Sequence, residues 1–379
     1  MINHFILLSV LLGLTLAAKF SVPLQKSETS LRLRGGLQSQ AGTGQEVFYN
    51  TYDEYYLTAI TLGTPPQPIL VAVDTTFSDL WVLDVNCTTQ NCHTAEDGHF
   101  KNTYNSSASS TYVERFDQFL VKYGYDEVFG MKGKDTLEIP GFTIANQDFG
   151  MATKLPSQFP LTPVEGVLGL GWPEEAWERT DSPMKNLLPK LDKPIFTIWY
   201  QRTNHTVRAA GRLTFGGLDE RACDSDINYV PLPDHRETIW NFNVNTFSMG
   251  TYKFHETRRA ISSTASSFTG VPNTVLQHII KTTKAQYNWD YKTYTVACSI
   301  AQTGLDVTFT IGKKPYTITA QDYVLDLKLQ NNQCALGFFA SNAAFGEATY
   351  VLGEALMRHY CHIYDFGNAR IGLAKIIGN

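Results

Sequence analysis

The chain has 379 residues, of which 43% are hydrophobic and 18% are charged, so it is long enough to bury one large core or two medium ones. The formal net charge of −5 argues against a nucleic-acid-binding protein, because such proteins present a basic face. Residues 1–18 form a short apolar run that ends in small residues, which predicts a secretory signal peptide with cleavage after Ala17 or Ala18. A membrane anchor is the alternative, but the run is short for a spanning helix, and we expect no membrane contact after its removal.

The cysteines and sequons fit an exported protein. The six cysteines are an even set, which in an oxidising compartment predicts three disulfides, although spacing alone does not choose the pairs. Sequons begin at Asn86, Asn105 and Asn204 and are candidate N-glycosylation sites. We therefore expect the protein in the extracellular space or in an endolysosomal lumen.

Residues 19–45 have the composition of an arm rather than of a core. Basic residues and glycine-rich breaks alternate through this segment, which favours a pro-segment. A basic arm would be attracted to an acidic cleft by Coulomb forces. A solvated linker is the alternative that composition leaves open.

From Tyr55 onward, short β-rich runs alternate with turn residues. Strands are predicted at residues 57–62, 69–73, 118–123, 194–199, 212–215, 238–245, 306–311 and 349–352. Helical windows are few, at residues 181–190, 274–284 and 354–360. Many short strands with Gly, Pro, Asn and Ser between them predict an all-β protein.

Two features of the first half recur in the second half. Asp74 and Ser263 each lie in a Ser/Thr-rich turn that follows an apolar strand. Further along each half comes the tripeptide Val-Leu-Gly, which ends at Gly169 and at Gly353. Because two unrelated features repeat at nearly one offset, the sequence predicts two duplicated lobes.

Several motifs together resemble one protein family. They occupy residues 56–67, 79–82, 122–124, 165–171, 211–219 and 365–374, in addition to the turns at Asp74 and Ser263. With these motifs the chain resembles the pepsin-like (A1) aspartic proteases, in particular secreted nematode members, over essentially its whole mature length. It departs from the family at the second turn, where Ser263 stands in place of an aspartate.

The resemblance implies a bilobal all-β fold with two homologous β-rich lobes, a central cleft and a flap. The N-terminal lobe with its flap would span residues 46–220 and the C-terminal lobe residues 221–379. The implied disulfides are Cys87–Cys92, Cys298–Cys334 and Cys223–Cys361. The family uses no cofactor and no metal, so we expect a monomer that holds a peptide or protein ligand in the interlobe cleft.

The family hydrolyses peptides with two aspartates that share one proton. The resemblance places Asp74 at the first catalytic position and Ser263 at the second, where a hydroxyl cannot exchange a proton near neutral pH as a carboxyl does. Phe77 replaces a family serine that donates to the first aspartate, and two family glycines are replaced as well. The remaining dyad-loop residues are Thr75, Thr76, Thr264, Ala265 and Ser266, and the substrate-cleft residues are Trp81, Tyr123 and Gly124.

These departures lead to one hypothesis and two alternatives. The first is a secreted aspartic endopeptidase homologue with impaired catalysis that acts by binding a peptide or protein. The alternatives are a weakly active aspartic endopeptidase that works at acidic pH and a structural or storage glycoprotein that binds nothing. Without a charged neighbour, the pKa of Asp74 should relax towards that of an ordinary aspartate, while burial acts in the opposite direction.

Overall fold

A computed structural model of the chain describes residues 19–27, 55–89, 92–94, 100–123, 126–139, 141–155, 164–201, 209–233, 239–341 and 349–377. The predicted signal peptide, residues 1–18, and residues 28–45 of the predicted arm lie outside the described residues. The flap residue Gly124 and the sequon residue Asn204 also lie outside them.

Strands make up most of the described chain. Those of the first part are β1 (Phe20–Ser27), β2 (Tyr55–Leu62), β3 (Gln67–Asp74), β4 (Leu80–Leu83), β5 (Val113–Tyr123), β6 (Asp126–Ile139), β7 (Phe142–Lys154), β8 (Gly166–Gly169), β9 (Ile195–Tyr200), β10 (Ala209–Phe215) and β11 (Asn228–Pro231). Those of the second part are β12 (Asn241–Met249), β13 (Tyr252–Phe254), β14 (Arg258–Ser262), β15 (Thr269–Val271), β16 (Gln286–Asn288), β17 (Thr293–Ala297), β18 (Val307–Ile311), β19 (Lys314–Ile318), β20 (Val324–Leu325), β21 (Gln333–Leu336), β22 (Phe338–Ala340), β23 (Tyr350–Leu352), β24 (Tyr360–Asp365) and β25 (Arg370–Lys375).

The helices are short and lie mainly in the second half. They are α1 (Pro183–Leu187), α2 (Asn273–Thr283), α3 (Ile300–Thr303), α4 (Ala320–Tyr323) and α5 (Glu354–Met357). In the described part of the chain, none of them has the length and apolar character needed to cross a bilayer. The predicted helix at residues 354–360 is too long, because β24 already begins at Tyr360.

The described strands form three sheets. The largest runs β11-β25-β24-β9-β10-β1-β2-β3-β8-β4-β7-β6-β5, so it contains strands from both halves of the chain. The second runs β19-β18-β12-β14-β23-β15-β22, with β13 paired to β12, and the third runs β16-β17-β21-β20. This arrangement confirms the predicted all-β, bilobal fold.

The first part of the predicted arm is a strand of the largest sheet. β1 lies between β10 and β2, with Leu24 opposite Gly211 and Gln25 opposite Leu57. The solvated-linker alternative is therefore wrong for residues 20–27. Strands on both sides of residue 220 pair within this sheet, since β24 pairs with β9, and the lobe boundaries stay a prediction.

Burial along the strands follows the layers of the fold. All six residues of β9 are buried, because this strand lies inside the largest sheet with both faces covered. In β18 buried and partly buried residues alternate, as expected for a strand with one face on a core. The main core contains large side chains such as Phe196, Trp240 and Phe309.

Three disulfides join the residues that the resemblance pairs. They are Cys87–Cys92, Cys223–Cys361 and Cys298–Cys334. The carboxylate of Asp326 lies close to the sulfurs of Cys298 and Cys334. Because these two sulfurs are bonded to each other, the cluster offers no pair of thiolates to a metal.

Candidate active site

Two threonines join the turns that follow β3 and β14. The backbone N–H of Thr75 donates to Oγ1 of Thr264 at 3.0 Å, and the N–H of Thr264 donates to Oγ1 of Thr75 at 3.1 Å. The Thr75 hydroxyl donates to the carbonyl oxygen of Ser262 at 2.9 Å, and the Thr264 hydroxyl donates to the carbonyl oxygen of Val73 at 2.8 Å. In this reciprocal pattern Asp74 and Ser263 occupy equivalent positions, one in each turn.

A glycine from a neighbouring strand packs against each turn. β3 pairs in parallel with β8, which ends at Gly169, and β14 pairs in parallel with β23, which Gly353 follows. A Cβ on Gly169 would lie 2.5 Å from the carbonyl oxygen of Asp79, and one on Gly353 would collide with the carbonyl oxygen of Ser266. Only glycine allows so close an approach, which explains why Val-Leu-Gly recurs in both halves.

Asp74 is held by its neighbour Thr76. The backbone N–H of Thr76 donates to Oδ1 of Asp74 at 2.7 Å, and the Thr76 hydroxyl donates to the same oxygen at 2.6 Å. Burial raises the pKa of Asp74 above its usual value, and the two hydrogen bonds from Thr76 oppose this without cancelling it. The effect of burial on the pKa of Asp74 is therefore larger than the effect of the two hydrogen bonds.

Ser263 is buried in the second turn, at the position equivalent to Asp74. It is 2% exposed, and its backbone N–H donates to the carbonyl oxygen of Leu352 at 3.0 Å. The two equivalent positions thus combine one carboxyl with one neutral alcohol. Such a pair can bind polar groups and hold one proton, but it lacks the second carboxyl that general acid–base hydrolysis by this chemistry requires.

Comparison with known proteins assigns the chain to a family. The sequence model of the family described as Eukaryotic aspartyl protease matches residues 55–376, which is most of the chain. The chain belongs to this family. It is similar to Aspartic protease 1 of Caenorhabditis elegans, with 37% identity over 98% of both chains. It is also similar to Vacuolar protease A of Aspergillus fumigatus, with 31% identity over 86% of this chain and 80% of the relative, and to human Gastricsin, with 28% identity over 85% and 81%.

Thr76 supplies a contact that sequence comparison with the aspartyl proteases had suggested was lost. Phe77 cannot donate a hydrogen bond, and we expected its presence to leave Asp74 with one donor fewer. The Thr76 hydroxyl fills this role, because it donates to the carboxylate from the adjacent position. The sequence shows a threonine at this position in place of the family glycine, but it does not show that the side chain points towards Asp74.

Aromatic side chains pack beside the first turn of this aspartyl protease site. Phe77 lies edge-on to Trp177 with ring centroids 5.6 Å apart, and Phe119 lies 4.8 Å from the same indole. Trp81 belongs to the same cluster and is fully buried against side chains of β5 and β6. The assignment of Trp81 to the substrate cleft stays a prediction. Tyr123 ends β5, and its side chain lies outside the described residues.

Asp79 is a second buried acid near the first turn, and sequence reasoning did not select it. Its Oδ2 accepts the backbone N–H of Trp177 at 2.9 Å, while Oδ1 has no hydrogen-bond partner among the described residues. Burial raises the pKa of Asp79 to about 7, and the charge of Asp148 adds to this, whereas the Trp177 N–H and the charge of Lys132 lower it.

A buried polar chain lies beneath the second turn. Ser262 Oγ lies 2.9 Å from Nδ1 of His362 and 2.8 Å from the hydroxyl oxygen of Tyr364. Burial lowers the pKa of His362 to about 3, so this imidazole is neutral over most of the acidic range. The histidine contacts Ser262 and not Ser263, and both partners are fully buried. The pair therefore cannot serve as a nucleophile and base for a bound ligand.

The other predicted residues of the second turn have different surroundings. Ala265 is exposed, in a position where the family has glycine. The hydroxyl of Ser266 donates to the carbonyl oxygen of Phe268 at 2.7 Å, so it stabilises the turn itself. The structure thus brings Asp74, Thr75 and Thr264 together with Ser263, while Ser266 bonds within its own loop.

The two sequons in the described residues differ in the exposure and hydrogen bonding of their asparagines. Asn86 is exposed at the end of the turn after β4. Asn105 is partly buried, and its Oδ1 accepts the backbone N–H of Ser107 at 3.1 Å as the cap of a short 3-10 helix. Both stay candidate glycosylation sites, and Asn86 is the more accessible of the two.

Proposed function

We propose that this chain is a secreted member of the aspartyl protease family whose catalysis is impaired and which acts by binding a peptide or protein in the interlobe cleft. The single observation that carries the proposal is the alcohol of Ser263 at the position equivalent to Asp74. In this chemistry one carboxylate takes a proton from water while the other donates to the scissile carbonyl. Removing one member of such a unit typically lowers turnover by about 10⁴- to 10⁶-fold.

The retained framework supports binding as the remaining role. The threonines still join the two turns, the two glycines still pack against them, and Asp74 still has donors from Thr76. These contacts keep the centre of the molecule ordered without requiring a second acid. A cleft that keeps its framework and loses its proton chemistry fits a protein that holds a peptide and does not cut it.

The decisive assay measures hydrolysis of denatured haemoglobin at acidic pH by the purified mature protein. We expect turnover several orders of magnitude below that of an active family member such as human Gastricsin measured in parallel. The variants Ser263→Asp and Ser263→Asp with Thr76→Gly and Ala265→Gly should gain activity, and Ser263→Asn is the control of similar size without an acid. Wild-type turnover equal to that of Gastricsin would refute impaired catalysis.

Binding is tested separately from cleavage. A pepstatin-type inhibitor and a library of unlabelled peptides are added to the wild type, and the thermal midpoint of unfolding is measured. A rise in this midpoint that Ser263→Asp preserves indicates an open cleft that accepts peptides. If no peptide binds to either protein, the structural or storage glycoprotein is the better description.

A weakly active endopeptidase is the second candidate, because one feature of the structure favours it. The carboxyl of Asp74 keeps its donors, and burial raises its pKa, so it holds a proton to a higher pH than an ordinary aspartate does. Residual hydrolysis that depends on Asp74 would be abolished by Asp74→Asn and blocked by a pepstatin-type inhibitor. Hydrolysis that survives both would come from a contaminating protease.

The proposal also covers export, glycosylation and the monomeric state. We propose that residues 1–18 direct the chain into the secretory pathway and that it is carried to the extracellular space or to an endolysosomal lumen as a monomer. The relatives include a protein named for the vacuole. Expression in secreting cells should yield a product shortened at its N-terminus, and glycosidase treatment should shift its mobility less in Asn86→Gln than in the wild type.

A further inference from the structure

Trp289 differs from the other tryptophans in its exposure. Its side chain is 79% exposed, whereas Trp81 and Trp240 are fully buried and the other three are buried or partly buried. It lies in the turn 289–292 between β16 and β17, at the edge of the third sheet. Because tryptophan and tyrosine are enriched at protein interfaces, an exposed tryptophan held in a fixed position suggests a binding surface.

A ladder of aromatic rings holds Trp289 in place. Its ring lies edge-on to Tyr287 with centroids 4.9 Å apart, and Tyr287 lies edge-on to Tyr294 with centroids 5.2 Å apart. Tyr294 packs against the main core. Edge-to-face contacts of this kind are favourable, so the exposed indole has a defined orientation.

The turn that carries Trp289 is also fixed. Oδ1 of Asn288 accepts the backbone N–H groups of Asp290 and Tyr291 at 2.9 and 3.1 Å. The hydroxyl of Tyr291 accepts the N–H of Gln330 at 3.3 Å, which ties the hairpin to the neighbouring loop. A surface ordered before binding loses little conformational entropy when a partner docks.

The net charge of residues 281–297, which include this hairpin, is opposite in sign to that of the whole chain. Lys281 and Lys284 are exposed at the end of α2, directly before β16, and Lys292 lies in the turn itself. Asp290 is the single acidic residue between positions 281 and 297, while the chain as a whole carries a formal charge of −5. Complementary charge steers a partner and fixes its orientation, so this surface favours an acidic one.

We propose that the aromatic tip, defined as Tyr287, Trp289, Tyr291 and Lys292, is a docking site for an acidic protein segment that carries an apolar anchor. Tryptophan and tyrosine dominate the binding energy of protein interfaces, where an exposed ring enters a pocket of the partner and charged groups surround it. The site requires neither Asp74 nor the interlobe cleft. It therefore goes beyond the function proposed above and is tested independently of it.

The test is a selection from a random peptide library displayed on phage, run on the full mature protein. The wild type, Trp289→Ala and Phe116→Ala are used in parallel, since Phe116 is another exposed aromatic residue, 84% exposed on β5. We expect peptides that are enriched on the wild type and on Phe116→Ala, rich in Asp and Glu, with one Leu, Phe or Trp. A saturating pepstatin-type inhibitor should leave the selection unchanged, because the site as defined contains no residue of the turns at Asp74 and Ser263.

The best peptide is then labelled, and its affinity is measured by fluorescence anisotropy. Trp289→Ala should weaken binding at least about tenfold, as expected for a hot-spot residue. Lys284→Glu with Lys292→Glu, a second variant that keeps the indole, should weaken it as well, and added salt should do the same in the wild type.

Each other outcome overturns the proposal. Equal enrichment on Trp289→Ala, no enrichment, or enriched peptides without acidic residues would show that the tip does not recognise an acidic segment. Trp289-dependent binding to vesicles of phosphatidylcholine and phosphatidylserine, without peptide binding, would indicate a membrane contact instead. A dimer in solution that Trp289→Ala dissociates would identify the occupant as a second copy of this chain.

Discussion

His362 and Asp79 should give the protein two pH dependences of stability that oppose each other. His362 is fully buried and its pKa is lowered from 6.5 to about 3, whereas Asp79 is 1% exposed and its pKa is raised from 3.8 to about 7. Between pH 6.5 and pH 4 the unfolded chain binds a proton at His362 that the folded chain does not, so acidification lowers the free energy of unfolding by about 3 kcal/mol. Over the same interval the folded chain binds the proton at Asp79, so acidification raises this free energy by about 3 kcal/mol.

The two contributions nearly cancel in the wild type, and single substitutions should separate them. In His362→Gln only the Asp79 contribution remains, so this variant should become more stable by about 3 kcal/mol from pH 6.5 to pH 4, relative to wild type. In Asp79→Asn only the His362 contribution remains, and the relative change should have the opposite sign. His255 is exposed, so His255→Gln is the matched control and should follow the wild type.

The assay is urea unfolding at pH 4, 5 and 6.5, followed by tryptophan fluorescence and by near-ultraviolet circular dichroism. The difference in unfolding free energy between each variant and the wild type is plotted against pH, which removes contributions that the two proteins share. If the difference for His362→Gln is the same at pH 4 as at pH 6.5, the histidine does not resist protonation in the folded state. That result would refute the reasoning from burial.

Three further predictions concern the contacts at the centre and the longest disulfide. Thr76→Val removes the hydroxyl that donates to Asp74 and should raise the pKa of Asp74 further in a ¹³C NMR titration, while Thr76→Ser should not. Thr264→Ala removes an acceptor and a donor between the turns and should lower the free energy of unfolding, measured with urea, by about 1–3 kcal/mol. Thr264→Ser keeps the hydroxyl and should lower this free energy by less. Cys223→Ser with Cys361→Ser removes a disulfide between residues 138 positions apart and should lower the free energy of unfolding by about 2–5 kcal/mol relative to the oxidised wild type.

Local patterns in the sequence predicted the fold, whereas the positions of the site residues came from the family resemblance. Strand alternation, the repeated Val-Leu-Gly and the turns at Asp74 and Ser263 predicted two β-rich lobes. The resemblance also implied that an acid is missing at position 263, because the chemical identity of a residue can be compared with the family without knowing its surroundings. The cysteine pairs needed the family resemblance, since spacing alone left them open.

The ionisation of the buried groups was decided by tertiary structure alone. The contact between Ser262 and His362 joins residues one hundred positions apart, and the low pKa of this histidine comes from packing on all sides. In the same way, only the direction of the Thr76 side chain shows that Asp74 keeps a hydroxyl donor. A sequence specifies which groups can carry a proton, but desolvation and hydrogen-bond partners decide at what pH they do so, and both depend on residues that the chain brings together only when it folds.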